Sequence, residues 1–129
     1  MNPKLENMLV ASYPALYRSL EPRYSGACRF ECDDGWYRII DELSGKLETE
    51  ARISDLQVVC VKEKLGSLRV YLRGSVADRV QEWVATAEGL SRNTCERCSQ
   101  AAMLRRHKDG GGIRTLCPTC AAAMNYVLE

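Results

Sequence analysis

Cys95-Glu-Arg-Cys98, a gap of eighteen residues, then Cys117-Pro-Thr-Cys120: this run decides the C-terminal fold. Two C-x-x-C pairs offer four soft sulfur ligands. A tetrahedral zinc site with Zn–S near 2.3 Å needs its sulfurs about 3.8 Å apart, and a C-x-x-C turn places two of them at that separation. The gap reads as a route out and back: Met103 to His107 as one strand, Lys108-Asp109-Gly110-Gly111-Gly112 as the turn, and Ile113 to Leu116 as the return. A redox dithiol needs only one such pair, following a strand in a βαβ unit. Iron–sulfur clusters use other spacings. The sequence-based expectation is one structural Zn2+ held by Cys95, Cys98, Cys117 and Cys120.

The second pair also opens a helix. Cys117 stands at the N-cap, Pro118 at the first helical position and Cys120 at the third, and Ala121, Ala122, Ala123 and Met124 continue it. Both thiolates then sit at the positive helix end, which favours their ionised form. Knuckle, hairpin and helix in this order resemble a treble-clef zinc finger over residues 95–128. GATA-type DNA-binding fingers have similar spacing, so the resemblance implies a zinc-built scaffold without naming its use.

Upstream, the pattern predicts an α+β arrangement of helices around a β-hairpin. Residues 2–12 read as a helix capped by Asn2, with Pro3 in its first turn and Leu5, Met8 and Leu9 on one face. Tyr13, Leu16, Tyr17 and Leu20 continue it for a turn or two beyond Pro14, and residues 21–35 read as loop. Trp36, Ile39, Ile40, Leu43 and Leu47 set a helix from Trp36 to Glu50, with Asp33 or Asp34 as its cap. Leu56 to Lys62 and Leu68 to Arg73 read as strands, joined by a loop from Glu63 to Ser67. Ser75, with Asp78 three residues on, resembles a capping box opening another helix. Its apolar stripe is Val76, Val80, Trp83, Val84, Ala87 and Leu90. The expected division is an N-terminal domain over 1–91 and a finger over 92–129.

Charge is uneven although the net formal value is only +1. Residues 1–91 hold 12 Lys+Arg against 14 Asp+Glu, and residues 92–129 hold 6 against 3. Two basic sets stand out as candidate contacts for an acidic partner or nucleic acid. One is Lys62, Lys64, Arg69 and Arg73 with Tyr71 on the upstream hairpin; the other is Arg105, Arg106, His107, Lys108 and Arg114 on the finger hairpin. No P-loop, H-E-x-x-H or G-x-S-x-G run occurs. A four-thiolate zinc has no open position for water, so no catalytic activity is expected. No stretch reaches the roughly 18 apolar residues of a membrane span, and the N-terminus has no apolar leader. The expected location is the cytoplasm. Three cysteines stand outside the metal set: Cys60, expected buried in a strand, and Cys28 and Cys32, which flank a loop. All three are expected as free thiols.

Phe30-Glu-Cys-Asp-Asp-Gly-Trp36, Lys62-Glu-Lys-Leu-Gly-Ser-Leu-Arg-Val-Tyr71 and the four-cysteine end together resemble a family of small proteins found in phages and prophage regions. The similarity spans most of residues 28–129. It implies a phage setting, in the cytoplasm of the host cell, where small proteins act by binding and diverting a host machine. It supplies no activity and no catalytic residue. The expected function is therefore a zinc-stabilised protein that binds a host protein partner, as a regulator or counter-defence inhibitor, with nucleic-acid binding as the alternative.

Overall fold

The computed structural model describes residues 1–128. Helix α1 spans Pro3–Ser12, with the Asn2 side chain accepting from the Lys4 amide. A two-residue strand β1, Phe30–Glu31, follows a long connection. One 3-10 turn, Asp34–Trp36, leads into α2, Tyr37–Ala51. Strands β2, Gln57–Lys64, and β3, Ser67–Arg73, form an antiparallel hairpin, and α3 covers Asp78–Ser91. The C-terminal unit holds β4 (Met103–His107), β5 (Ile113–Leu116), α4 (Pro118–Met124) and β6 (Tyr126–Val127). The protein is thus α+β, with sheet orders β1-β2-β3 and β5-β4-β6.

The strand register follows from alternation. Val61 lies opposite Val70 and beside Phe30, and all three are buried. They meet Ile40, Leu43 and Leu47 of α2 and Val80 and Ala87 of α3 in one apolar core, with Trp36 wholly inside it. Several groups on both edges of the first sheet find partners outside it. On the β3 side, Leu68 N–H donates to Ser91 Oγ (2.9 Å) and Val70 N–H to Glu88 Oε2 (3.1 Å). On the β1 side, Phe30 N–H donates to Glu6 Oε2 (2.8 Å), while the Met1 ammonium donates to Phe30 O (3.0 Å). Exposed edge groups invite pairing with other chains, and these contacts occupy four of them.

Several boundaries differ from the sequence reading. Residues 21–35 contain β1, too short to show a period. The hairpin turn is Leu65–Gly66 alone, because β2 and β3 run on to Lys64 and Ser67. Both turn residues have positive φ (53° and 80°), the demand of a type I′ turn. Neither Asp33 nor Asp34 caps α2: Asp33 turns to Arg114, and Asp34 Oδ1 accepts from Asn2 N–H at 2.8 Å. The capping box at Ser75 is absent too. Helix α3 starts at Asp78, and Ser75 N–H donates to Asp55 Oδ1 instead. Leu90, expected in the apolar stripe, is half exposed, and Trp83 is only partly buried.

Candidate metal centre

The four cysteine sulfurs lie within 4.8 Å of one another, and Cys98 Sγ and Cys117 Sγ are 3.5 Å apart. Local chain geometry brings them there. After the first pair the chain curls back, Ser99 N–H to Cys95 O (3.0 Å) and Cys95 N–H to Gln100 O (2.7 Å), with Ser99 itself at φ 74°. The β4–β5 hairpin then returns the chain, Met103 opposite Leu116, to deliver Cys117. Cys117 is the N-cap of α4, and its sulfur accepts from Cys120 N–H at 3.3 Å. That bond holds the Cys117 thiol down to about 7, while burial pushes Cys120 up to about 12. One thiolate is therefore available near neutral pH as a first ligand, and a bound cation deprotonates the others. Helix α4 ends at Asn125 in the left-handed conformation, and β6 then pairs with β4. Strand β6 was not foreseen; two residues carry no periodic signal.

Among the described residues this is the one cluster able to hold a metal ion. Its donors are all sulfur, two of the four cysteines are buried, and Leu116 and Ala121 pack around them. The arrangement of knuckle, hairpin and helix is that of a treble-clef-like zinc finger. Cys28, Cys32 and Cys60 stand apart as free thiols. Burial pushes the Cys32 thiol up, whereas Cys60 is half-buried rather than sealed in the core as expected.

The knuckle is also the docking point of the whole unit. Glu96, inside the first C-x-x-C, is only 3% exposed. Its carboxylate accepts from Asp33 N–H (3.0 Å) and from Arg114 Nε (3.1 Å), and its backbone O accepts from Gly35 N–H (2.7 Å). Arg114 also reaches Asp33 Oδ2 at 2.5 Å. Burial pushes the Glu96 carboxyl above its ordinary value, against the pull of Arg114. Trp36 Nε1–H donates to Thr94 O (2.9 Å), Ser99 Oγ–H to Gly35 O (2.7 Å) and Thr115 Oγ1–H to Gly66 O (2.6 Å). Gly35 is required at this joint, because a Cβ there would fall on the backbone of Cys95 and Glu96.

The two basic sets fare differently. On the finger, Arg114 turns inward to Asp33 and Glu96, and Arg105 Nε–H donates to Leu116 O (2.9 Å), so neither projects from the hairpin as expected. His107 packs edge-on against Tyr126 and accepts from Asp109 N–H, while Lys108 is exposed. Arg106 lies opposite Ile113 on β4. On the upstream hairpin the set is brought together. Lys62 lies opposite Arg69, Cys60 opposite Tyr71, and Lys64 and Arg73 follow on the same alternation. Lys62 Nζ sits 5.6 Å from the Tyr71 ring centre. Nothing in the sequence marked Glu96, Gly35 or Thr115 as docking residues, since their partners across the joint lie as many as 64 positions away. No helix among the described residues is long and apolar enough to cross a membrane. No family model matches this chain, and no curated protein or solved structure is similar to it.

Proposed function

We propose that this chain is a zinc-stapled binding protein that works by holding a macromolecular partner and not by catalysis. The observation that carries it is the closed set of four sulfurs at Cys95, Cys98, Cys117 and Cys120. Four thiolates fill a tetrahedral zinc and leave no position for substrate or water. On this reading the finger is a brace: its Arg105 and Arg114 serve internal contacts, and the N-terminal unit carries the binding surface. The sequence resemblance favours a phage setting in the host cytoplasm, with a host protein as partner. Leu65, 64% exposed at the tip of the β2–β3 hairpin, favours that class, because an apolar side chain left beside a charged surface suits a protein interface. The basic hairpin face favours an anionic partner instead.

Metal analysis of protein purified without added metal tests the staple. One equivalent of zinc per chain is expected, lost in Cys117→Ser. Iron in its place, or less than half an equivalent of zinc, would sink the reading. Pull-down from host lysate with wild type and Cys117→Ser tests the partner. Capture of nothing above background, at low salt as at high, would count against a binding role.

A further inference from the structure

We propose that the solvent face of the β2–β3 hairpin is a binding surface for single-stranded nucleic acid, centred on Lys62, Arg69, Tyr71 and Arg73. The proposal rests on the binding-protein reading above, and takes the anionic partner that the basic hairpin favours in place of a host protein. Register places Lys62 directly across from Arg69. Like charges in that position repel and weaken the sheet. Glu31 of β1, the neighbour of Lys62 on the other side, is paired with Arg23 at 2.9 Å. Among the described residues none of Lys62, Lys64, Arg69 and Arg73 forms an ion pair. The fold thus gathers four cations on one face, and the carboxylate beside them, Glu31, is engaged by Arg23. Arg69 Nε is shielded and has no hydrogen-bond partner, so nothing within the protein neutralises this guanidinium.

Tyr71 decides between anionic partners. It lies on this same face, 42% exposed, flanked along β3 by Arg69 and Arg73. The Tyr71 ring stands between cations with Lys62 Nζ over it at 5.6 Å, so a base stacks there as Lys62 swings to a phosphate, and the phosphates on either side meet the arginines. An acidic peptide has the cations to use and gains nothing from the ring. A duplex meets the same cations through its phosphates but keeps its bases stacked inside, so it offers the Tyr71 ring no base face. From Arg69 to Arg73 the face spans about 14 Å, room for a short run of nucleotides.

Fluorescence anisotropy with a labelled twelve-nucleotide thymidine DNA strand tests this on the zinc-loaded full chain. Four neutralised phosphates give a slope of log K against log salt near −3, or roughly 50-fold weaker binding at 200 mM than at 50 mM salt. Arg69→Ala and Arg73→Ala are each expected to flatten the slope by about 0.7. Tyr71→Ala is expected to weaken binding about 10-fold, and Tyr71→Phe, which keeps the ring, to leave it unchanged. Lys46→Ala, exposed on α2, is the control that should not matter. Zinc content and circular dichroism of every variant confirm that it is folded. No binding at 50 mM salt would overturn the proposal, as would binding insensitive to Tyr71→Ala and Arg69→Ala together. Equal affinity for a poly-glutamate peptide would overturn it in favour of an acidic protein partner, leaving the binding-protein reading in place. Loss of that reading would show separately, in the metal analysis and the pull-down.

Discussion

Residues 1–91 bury Phe30, Trp36, Ile40, Leu47, Leu56, Val58, Val61 and Leu68 almost completely, whereas the four-cysteine unit buries only Cys95, Leu116, Cys117 and Ala121 among its apolar side chains. The first region has a core of its own. The second, fewer than 40 residues long, is below the size at which apolar burial alone closes a domain. It is held by two other devices: sulfur ligands drawn to one point, and hydrogen bonds from its knuckle to the loop at Asp33–Trp36. The contrast shows that the joint between the regions is polar. Glu96, Gly35, Arg114 and Thr115 make directional bonds there. Directional bonds fix the finger in one orientation, which an apolar seam of the same size would do less strictly.

Metal removal should split the comparison most widely. Structural zinc contributes about 10–16 kcal/mol of apparent free energy in isolated finger peptides, more than residues 92–128 can replace. Chelation is expected to unfold the finger and leave the β2–β3 hairpin and helices α2 and α3 folded. The amides of Asp33 and Gly35 should lose protection along with the finger, since their acceptors belong to Glu96. Hydrogen exchange with peptide-level resolution measures this. Tryptophan emission gives a second reading: Trp36 loses Thr94 as its acceptor while staying walled in by the core, so the red shift should be small. A shift equal to that in strong denaturant would mean that one metal holds the entire chain.

A substitution at the joint should do less, and in one place. Gly35→Ala puts a methyl on the knuckle backbone, where nothing can yield cheaply. Overpacking of this kind costs about 1–3 kcal/mol, and the strain falls on Cys95, so zinc should also leave faster in a chelator competition. Gly89→Ala is the counterpart in the N-terminal region. That glycine is inside α3 with open space around it, and alanine there should stabilise by about 0.5–1 kcal/mol. Thermal melts of the two variants shifting the same way would break the distinction between joint and core.

These two glycines also show what could be read in advance. The metal set was legible because its chemistry is carried by residue type and spacing within one stretch. So were α1, α2, β2 and β3, whose apolar periods run for several turns or alternations. Arg114 reads as a candidate phosphate contact in the sequence because nothing within ten residues of it reveals that Asp33 is its partner. Gly35 looked like loop punctuation, and only the tertiary approach of Cys95 gives it a reason. The cations of β2 and β3 share one alternation in the sequence, but that the carboxylate beside them is taken depends on where Glu31 and Arg23 meet. Local pattern finds elements and ligands; the joint is long-range and polar, and leaves no period.

The smallest expected effect separates the regions by acid. Protonation of thiolates releases zinc, so the finger should fail first as pH falls. The N-terminal region depends on carboxylates with lower values. Asp55, at the turn before β2, accepts from Ser75 N–H, and that bond holds its carboxyl below the usual 3.8. A depressed value means the folded state binds the proton less readily than the unfolded chain. The stabilisation is therefore present above the unfolded value and is lost as pH falls through the folded one. Asp55→Asn keeps an oxygen acceptor for Ser75 but carries no charge, so the variant should be slightly less stable at pH 7 and nearly equal to wild type at pH 2. Urea midpoints read from the helical circular dichroism signal, which α1, α2 and α3 dominate, measure the difference at both pH values. A wild-type advantage that persists undiminished at pH 2 would mean that the Asp55 charge plays no part in holding the β3–α3 turn against the start of β2.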